Sequence, residues 1–148
     1  MDTAQLESLY RQMVPFATTL GVEYTSLAPE RIVLRLPDDK SLHNHLGGPH
    51  AGAMFTLGES GSGLVIIANF GEHLGGITPL PGSAEIRYMK VAKGAVSATC
   101  TLSRPVDEVL AEVERDGRAA VDIPVSLATD DGTVTGEMTV HWILKRTG

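Results

Sequence analysis

The residues best suited to chemistry lie between Ser41 and Gly71, where Glu59 is the one Asp, Glu, Lys or Arg side chain. Glu59 sits in the middle of an apolar, glycine-rich run, Ala51–Phe70. A carboxylate is costly to remove from water unless something compensates its charge, and acids in such surroundings cluster at functional sites. We therefore expect Glu59 to serve catalysis or ligand binding. The alternative is a structural carboxylate that caps loop N–H groups.

A polar cluster, residues 43–50 with the sequence HNHLGGPH, leads into this run and places three His and one Asn within 17 residues of Glu59. No Cys joins the histidines and no two of them have the i, i+4 spacing of a helical metal site. We expect no metal. His43 and His45 read as loop residues, whereas His50 stands where it could cap the following helix.

The elements around this cluster follow from hydrophobic periodicity. The pattern predicts an amphipathic helix over residues 3–18, with Leu6, Leu9, Met13 and Phe16 on its buried face, and a long helix from about His50 to Phe70. A shorter helix is expected at residues 105–116, ended by Gly117. The four glycines of the long helix, at positions 52, 58, 61 and 63, suggest that a sheet approaches it closely.

Six strands are predicted by alternating patterns, at residues 22–26, 31–36, 83–91, 96–102, 119–127 and 134–144. Residues 71–82 read as a turn-rich link, Lys93-Gly94 as a hairpin turn, and Asp130-Asp131-Gly132 as another. The order predicts an α+β domain over residues 1–148, with one antiparallel sheet curled around one long helix. Exposed edge strands invite pairing with a second copy, so we expect a homodimer or a dimer of dimers.

The composition and charge of the chain limit the partners and the cellular location that we expect. The net charge of −6 argues against a nucleic-acid surface. Residues 51–70 are only moderately hydrophobic and centre on Glu59, which argues against a membrane span. The first residues lack the features of a signal peptide, and the lone Cys100 fits a reducing compartment. We therefore expect a cytoplasmic protein.

The spacing of Asn44, His50-Ala51-Gly52 and Glu59 resembles the hotdog-fold thioesterases of the PaaI-like (4-hydroxybenzoyl-CoA thioesterase-related) group. That group carries an Asn 15 residues and a His 9 residues before the helix acid, as this chain does. Ala51 stands where the group has the first glycine of His-Gly-Gly, and Glu59 where many members have Asp. The strand Ile86–Lys90 with Lys93-Gly94 is similar to the strand that runs beside coenzyme A in the family.

The resemblance implies hydrolysis of an acyl-CoA thioester, with coenzyme A entering as part of the substrate and no cofactor. The backbone N–H groups of Ala51 and Gly52 would form the oxyanion site, because the first N–H groups of a helix lack intrahelical partners. Glu59 would act as general base or nucleophile, with Asn44 and His50 in support.

The candidates for binding coenzyme A are the side chains near the predicted mouth of the site, namely Arg87, Tyr88, Lys90, Lys93 and Arg104. Two alternatives remain open at this stage. One is a hotdog module that binds acyl thioesters without turnover. The other is dehydration of hydroxyacyl thioesters, because dehydratase relatives also place a His 14 residues before a helix Glu, the spacing of His45 to Glu59.

Overall fold

The computed structural model describes residues 1–148, which form four α-helices and six β-strands. The helices are α1 (Thr3–Met13), α2 (Pro15–Leu20), α3 (Ala51–Phe70) and α4 (Val106–Asp116). The strands are β1 (Glu23–Ala28), β2 (Arg31–Leu36), β3 (Ile77–Tyr88), β4 (Val96–Thr101), β5 (Arg118–Thr129) and β6 (Val134–Arg146). Short 3₁₀ turns at Lys40–Leu42 and Gly71–His73 precede and follow the long helix.

The strands form one antiparallel sheet in the order β1-β2-β4-β5-β6-β3. Helix α3 packs across this sheet and buries most of its residues. Alternate residues of the central strands face the helix, as in β2, where Ile32, Leu34 and Leu36 are fully buried. The predicted α+β arrangement, a sheet wrapped around one long helix, is confirmed.

Two glycines allow the sheet to approach α3. A Cβ added at Gly61 would lie 2.5 Å from Cys100 Sγ, and one added at Gly58 would lie 2.7 Å from Met138 Sδ. Both distances are too short for real contacts, so the sheet occupies the space that side chains would fill. Burial raises the pKa of the Cys100 thiol to about 12, which leaves it an inert, packed group.

The sequence pattern was misread at the third strand. Strand β3 begins at Ile77, inside the predicted link, and includes Pro79 and Pro81. Both prolines are tolerated because β3 is the last strand of the sheet, where one row of N–H groups needs no partner. The predicted hairpin at Lys93-Gly94 is also wrong, because β3 pairs with β6, whereas β4 lies between β2 and β5.

The predicted N-terminal helix is two helices. Val14 leaves the helical conformation because Pro15 follows it and begins α2. The buried residues of α1 are Leu6 and Tyr10. Two residues placed on the predicted buried face are exposed instead, Met13 by 45% and Phe16 by 61%.

Other predicted elements are confirmed. Helix α4 ends at Gly117, whose positive φ of 79° is the left-handed conformation that glycine adopts without strain. The turn at Asp130-Asp131-Gly132 joins the paired strands β5 and β6.

The 23-residue helical segment Ala51–His73 is long enough to span a membrane, and it contains an 18-residue window with a mean hydropathy of 1.3. Of this window, 67% is buried within the chain. The position of the helix in the core accounts for this apolarity.

The close approach at Gly61 predicts an asymmetry between two alanine substitutions. Gly61→Ala gains about 1 kcal/mol of helix propensity but overpacks a buried thiol, at a cost of about 1–3 kcal/mol. Gly58→Ala meets the flexible end of a methionine, which can move aside. In urea unfolding, Gly61→Ala should therefore be the less stable variant, and Cys100→Ala should reduce its loss. Equal stability of the two variants would contradict this packing.

Candidate active site

One narrow face of α3, the stripe, is not covered by the sheet. The helix residues that keep some exposure in its first half are Ala51, Gly52, Phe55, Thr56 and Glu59. Their spacing of three and four residues places them on one face. The stripe therefore runs from the open N-terminus of the helix to the Glu59 carboxyl group.

The Glu59 carboxylate is half-buried and has no hydrogen-bond or ion-pair partner within the chain. Burial raises its pKa, and no opposite charge acts against that shift. A carboxylate that folding desolvates without compensation is a stronger base than an exposed one. This environment suits a group that accepts a proton during a reaction.

The N-terminus of α3 offers free backbone donors. Its first intrahelical bond runs from Met54 N to His50 O at 3.0 Å, and the N–H groups of Ala51 and Ala53 donate no hydrogen bond within the chain. The N–H of Gly52, which the sequence analysis assigned to the oxyanion site, donates instead to His50 Nδ1 at 2.8 Å. The free amides are therefore those of Ala51 and Ala53, and His50 is the cap of the helix.

Asn44 organises the loop that precedes α3. Its Oδ1 accepts from the N–H groups of Leu46 at 2.8 Å and Gly48 at 3.2 Å, and its Nδ2 donates to Pro49 O at 3.2 Å. The carboxamide is therefore engaged within residues 44–49 and makes no contact with the Glu59 carboxylate. His45 is exposed in the same loop.

This loop touches the segment that follows β3. A Cβ on Gly48 would lie 2.2 Å from the carbonyl oxygen of Ala92, so only glycine fits there. Lys93 Nζ donates to the carbonyl oxygen of Leu46. The Tyr88 hydroxyl at the end of β3 donates to the carbonyl oxygen of Ala51 at 2.9 Å. Tyr88 and Lys93 are thus brought to the start of α3.

The other predicted cations are placed differently. Lys90 is exposed in the same segment, two residues after Tyr88. Arg87 projects from the opposite face of β3 and lies beside Glu85 and Glu137.

Arg104 is not brought to the start of α3. It pairs with Glu112 at 2.6 Å and donates to Ala120 O at 2.7 Å. It follows the end of β4 that pairs with the start of β2, whereas the loop before α3 follows the end of β2. It therefore lies at the far end of the sheet from that loop.

A hydrogen-bond network around Glu59 was not predicted from the sequence. Trp142 Nε1 donates to Ser62 Oγ at 3.0 Å, and Ser62 Oγ donates to the backbone carbonyl of Glu59 at 2.7 Å. The Tyr10 hydroxyl donates to the carbonyl of Ser60 at 2.7 Å. Burial, with the nearby Glu59 charge, raises the pKa of Tyr10 and keeps it a neutral donor. The spacing of Leu6 and Tyr10 on α1 could have indicated this contact.

These features define a protein of the hotdog fold. A Pseudomonas aeruginosa protein of unknown function, described as a probable thioesterase, is 24% identical over 99% of this chain and 97% of the other, with a TM-score of 0.89. A thioesterase family protein from Silicibacter pomeroyi is 21% identical over 97% and 98% of the two chains, with a TM-score of 0.76. The PaaI protein of the E. coli phenylacetic acid degradation operon is 12% identical over 97% and 92%, with a TM-score of 0.74. The resemblance inferred from the sequence is confirmed at the level of fold.

Residues 3–144 match the family described as a domain of unknown function, DUF4442, and the chain belongs to that family. The comparison with curated proteins returned no match.

The cap formed by His50 can be separated from any other role of its ring. His50→Ala should lower the free energy of unfolding by about 1 kcal/mol, because Gly52 N–H loses its acceptor. His50→Asn supplies a new side-chain oxygen and should retain most of that stability. Urea unfolding of both variants measures the difference. Equal losses in the two variants would show that the ring stabilises the helix in some other way.

Proposed function

We propose that this protein hydrolyses an acyl-CoA thioester to a free acid and coenzyme A. The observation that carries the proposal is an unpaired, desolvated carboxylate on the same helix whose N-terminus carries the free amides of Ala51 and Ala53. The fold shared with thioesterases supports the same choice. A module that only binds acyl thioesters would not need the raised basicity of Glu59.

The free amides of Ala51 and Ala53 would receive the thioester carbonyl oxygen. Negative charge develops on that oxygen when the carbonyl is attacked, and donors fixed at a helix N-terminus stabilise it without reorganisation. Gly52 lies between them, and the His50 ring packs against it, because an added Cβ at Gly52 would lie 3.1 Å from His50 Nδ1. Its own N–H supports the cap made by His50.

Glu59 would drive the attack on the thioester carbonyl carbon by one of two routes. As general base it takes a proton from water, the water oxygen bonds to the carbonyl carbon, and the carbon–sulfur bond then breaks. The departing thiolate recovers the proton from the Glu59 carboxyl group. As nucleophile, the carboxylate itself displaces the thiolate to form an anhydride, which water then hydrolyses. The position of Glu59 is compatible with both routes.

The coenzyme A portion would lie on the β3 side of the stripe. Lys90 and Lys93 stand there as candidates for its phosphates, because both are on the segment that follows β3. Tyr88 fixes the end of this strand to the start of α3. Arg87 and Arg104, both turned away, are weaker candidates.

A second copy of the chain would complete the site. Strand β3 is a 12-residue edge strand, and most of its residues are exposed. Its Ala84 and Ile86 lie on the same face as the buried Val140 and Met138 of β6, with nothing beyond them in the sheet. Antiparallel pairing of two β3 strands would cover this edge and the neighbouring stripe of α3. We propose a homodimer with a continuous sheet, which could pair again as a dimer of dimers.

Replacing Glu59 tests the chemistry. Glu59→Gln keeps the shape and removes the base, so kcat for release of free coenzyme A should fall about 10²–10⁴-fold. The assay follows thiol release from a panel of acyl-CoAs. Glu108→Gln, an exposed carboxylate on α4, is the matched control and should leave kcat unchanged. Equal turnover by wild type and Glu59→Gln would reject the proposal, and binding without turnover in both would favour the binding module.

The raised pKa adds a signature in pH. Only ionised Glu59 is a base, so the acid limb of kcat/KM should lie above the ordinary range of a glutamate. Folding favours the protonated form, so ionisation costs stability as pH rises through the folded-state pKa. Glu59→Gln should therefore be more stable than wild type at neutral pH, with the difference closing in acid. A wild type as stable as Glu59→Gln at neutral pH would argue against the desolvation.

The proposed homodimer can be tested separately, by placing a charge on the edge of β3. Ala84→Lys places a charge on the proposed β3 junction, the device by which natural sheet edges avoid pairing. Wild type should sediment with the mass of two chains or four, whereas Ala84→Lys should sediment as one chain and lose thioester turnover. Ala111→Lys, on the exposed face of α4, controls for the added charge. A wild type that is monomeric and fully active would overturn this assembly.

A further inference from the structure

A cavity of about 230 Å³ opens beside the N-terminal half of α3. It lies between α2, the 3₁₀ turn Lys40–Leu42 and the start of the long helix. Gly52, Ala53 and Thr56 form its floor. Two of these, Gly52 and Thr56, also belong to the stripe that leads to Glu59. A molecule bound to the stripe therefore has direct access to this cavity.

Phe16 and Leu20 form the outer wall of the cavity. They are four residues apart and so lie on one face of α2. The fully buried Ala17 anchors this helix, and Gly21 ends it with a left-handed conformation. Phe16 stays 61% exposed. Its ring therefore lies at the mouth of the cavity and not in the core.

The charges around the stripe differ on its two sides. Lys90 and Lys93 stand on the side of β3. The residues that line the cavity include no Asp, Glu, Lys or Arg. Its two titratable members are both engaged, because His43 bonds to Asp38 at 2.7 Å and His50 caps Gly52. An uncharged group suits this side, and a phosphate-bearing group suits the other.

The stripe offers no room beyond Glu59. At Gly63, one turn further along, an added Cβ would lie 3.1 Å from the Tyr10 hydroxyl oxygen and 3.4 Å from the Trp142 ring. These two side chains are themselves fixed by hydrogen bonds to the helix region. A chain attached to the reacting carbonyl therefore cannot continue along α3.

We propose that this cavity binds the acyl group of the thioester, that the acyl group is uncharged and apolar, and that Phe16 sets the chain length that fits. The inference rests on the proposed thioesterase function. The carbonyl sits at the free amides, coenzyme A leaves toward β3, and the acyl chain turns toward α2. Phe16 acts here as a specificity-determining residue and takes no part in the bond changes.

The test is the acyl-chain profile of Phe16 variants. Phe16→Ala should raise the kcat/KM ratio of long to short saturated acyl-CoAs about tenfold, because a few methylenes in an apolar pocket are worth that much discrimination. Phe16→Trp should lower the same ratio. Succinyl-CoA, which carries a carboxylate on its acyl group, should be a poor substrate for all forms. Met13→Ala, an exposed apolar residue outside the cavity, should leave the profile unchanged.

Binding of the same acyl-CoA series to Glu59→Gln gives a second readout that needs no turnover. The length preference in affinity should shift with Phe16→Ala in that background too. An unchanged profile, in proteins whose thermal unfolding shows them folded, overturns the inference while leaving the Glu59 result intact. A protein that neither hydrolyses nor binds acyl-CoA overturns both proposals.

Discussion

The structure depends on how closely its sheet approaches a glycine-containing helix. Gly58 and Gly61 let the strands reach α3, and this contact buries one side of the helix completely. The remaining stripe is narrow, and Glu59 lies on it. A carboxylate placed there loses water without gaining a partner in the chain. The rest of the core must offset that cost, which is typical of a residue retained for function and not for stability.

Much of the fold could be predicted from the sequence, because the helix and strand periods are strong in this chain. The long helix, the inserted helix and the strands other than β3 were predicted near their observed bounds. The order of strands was not. Local patterns say which residues form strands, but they do not say that β3 crosses to the far edge of the sheet beside β6. The break at Val14 was not predicted either, because the helical spacing of the apolar residues continues across Pro15, where α2 begins.

The candidate site could be predicted in part. Glu59 and the helix N-terminus stand out by residue type, and both belong to the stripe. Tertiary contacts decided the rest. His50 occupies the Gly52 amide, the Asn44 side chain holds its own loop, and Arg104 lies at the opposite end of the sheet. Tyr10 comes from α1 and Phe16 from α2. The approach of Phe16 to α3 follows from packing that no short motif encodes.

The central claim is that the Glu59 carboxyl group is desolvated by folding and faces a bound thioester. A nuclear magnetic resonance titration of its side-chain carbonyl carbon tests this most directly, with and without a non-hydrolysable thioether analogue of an acyl-CoA. We predict a pKa raised above the ordinary range in the free protein and a further change of chemical shift and pKa when the analogue binds. An ordinary pKa that the analogue leaves unchanged would contradict the claim.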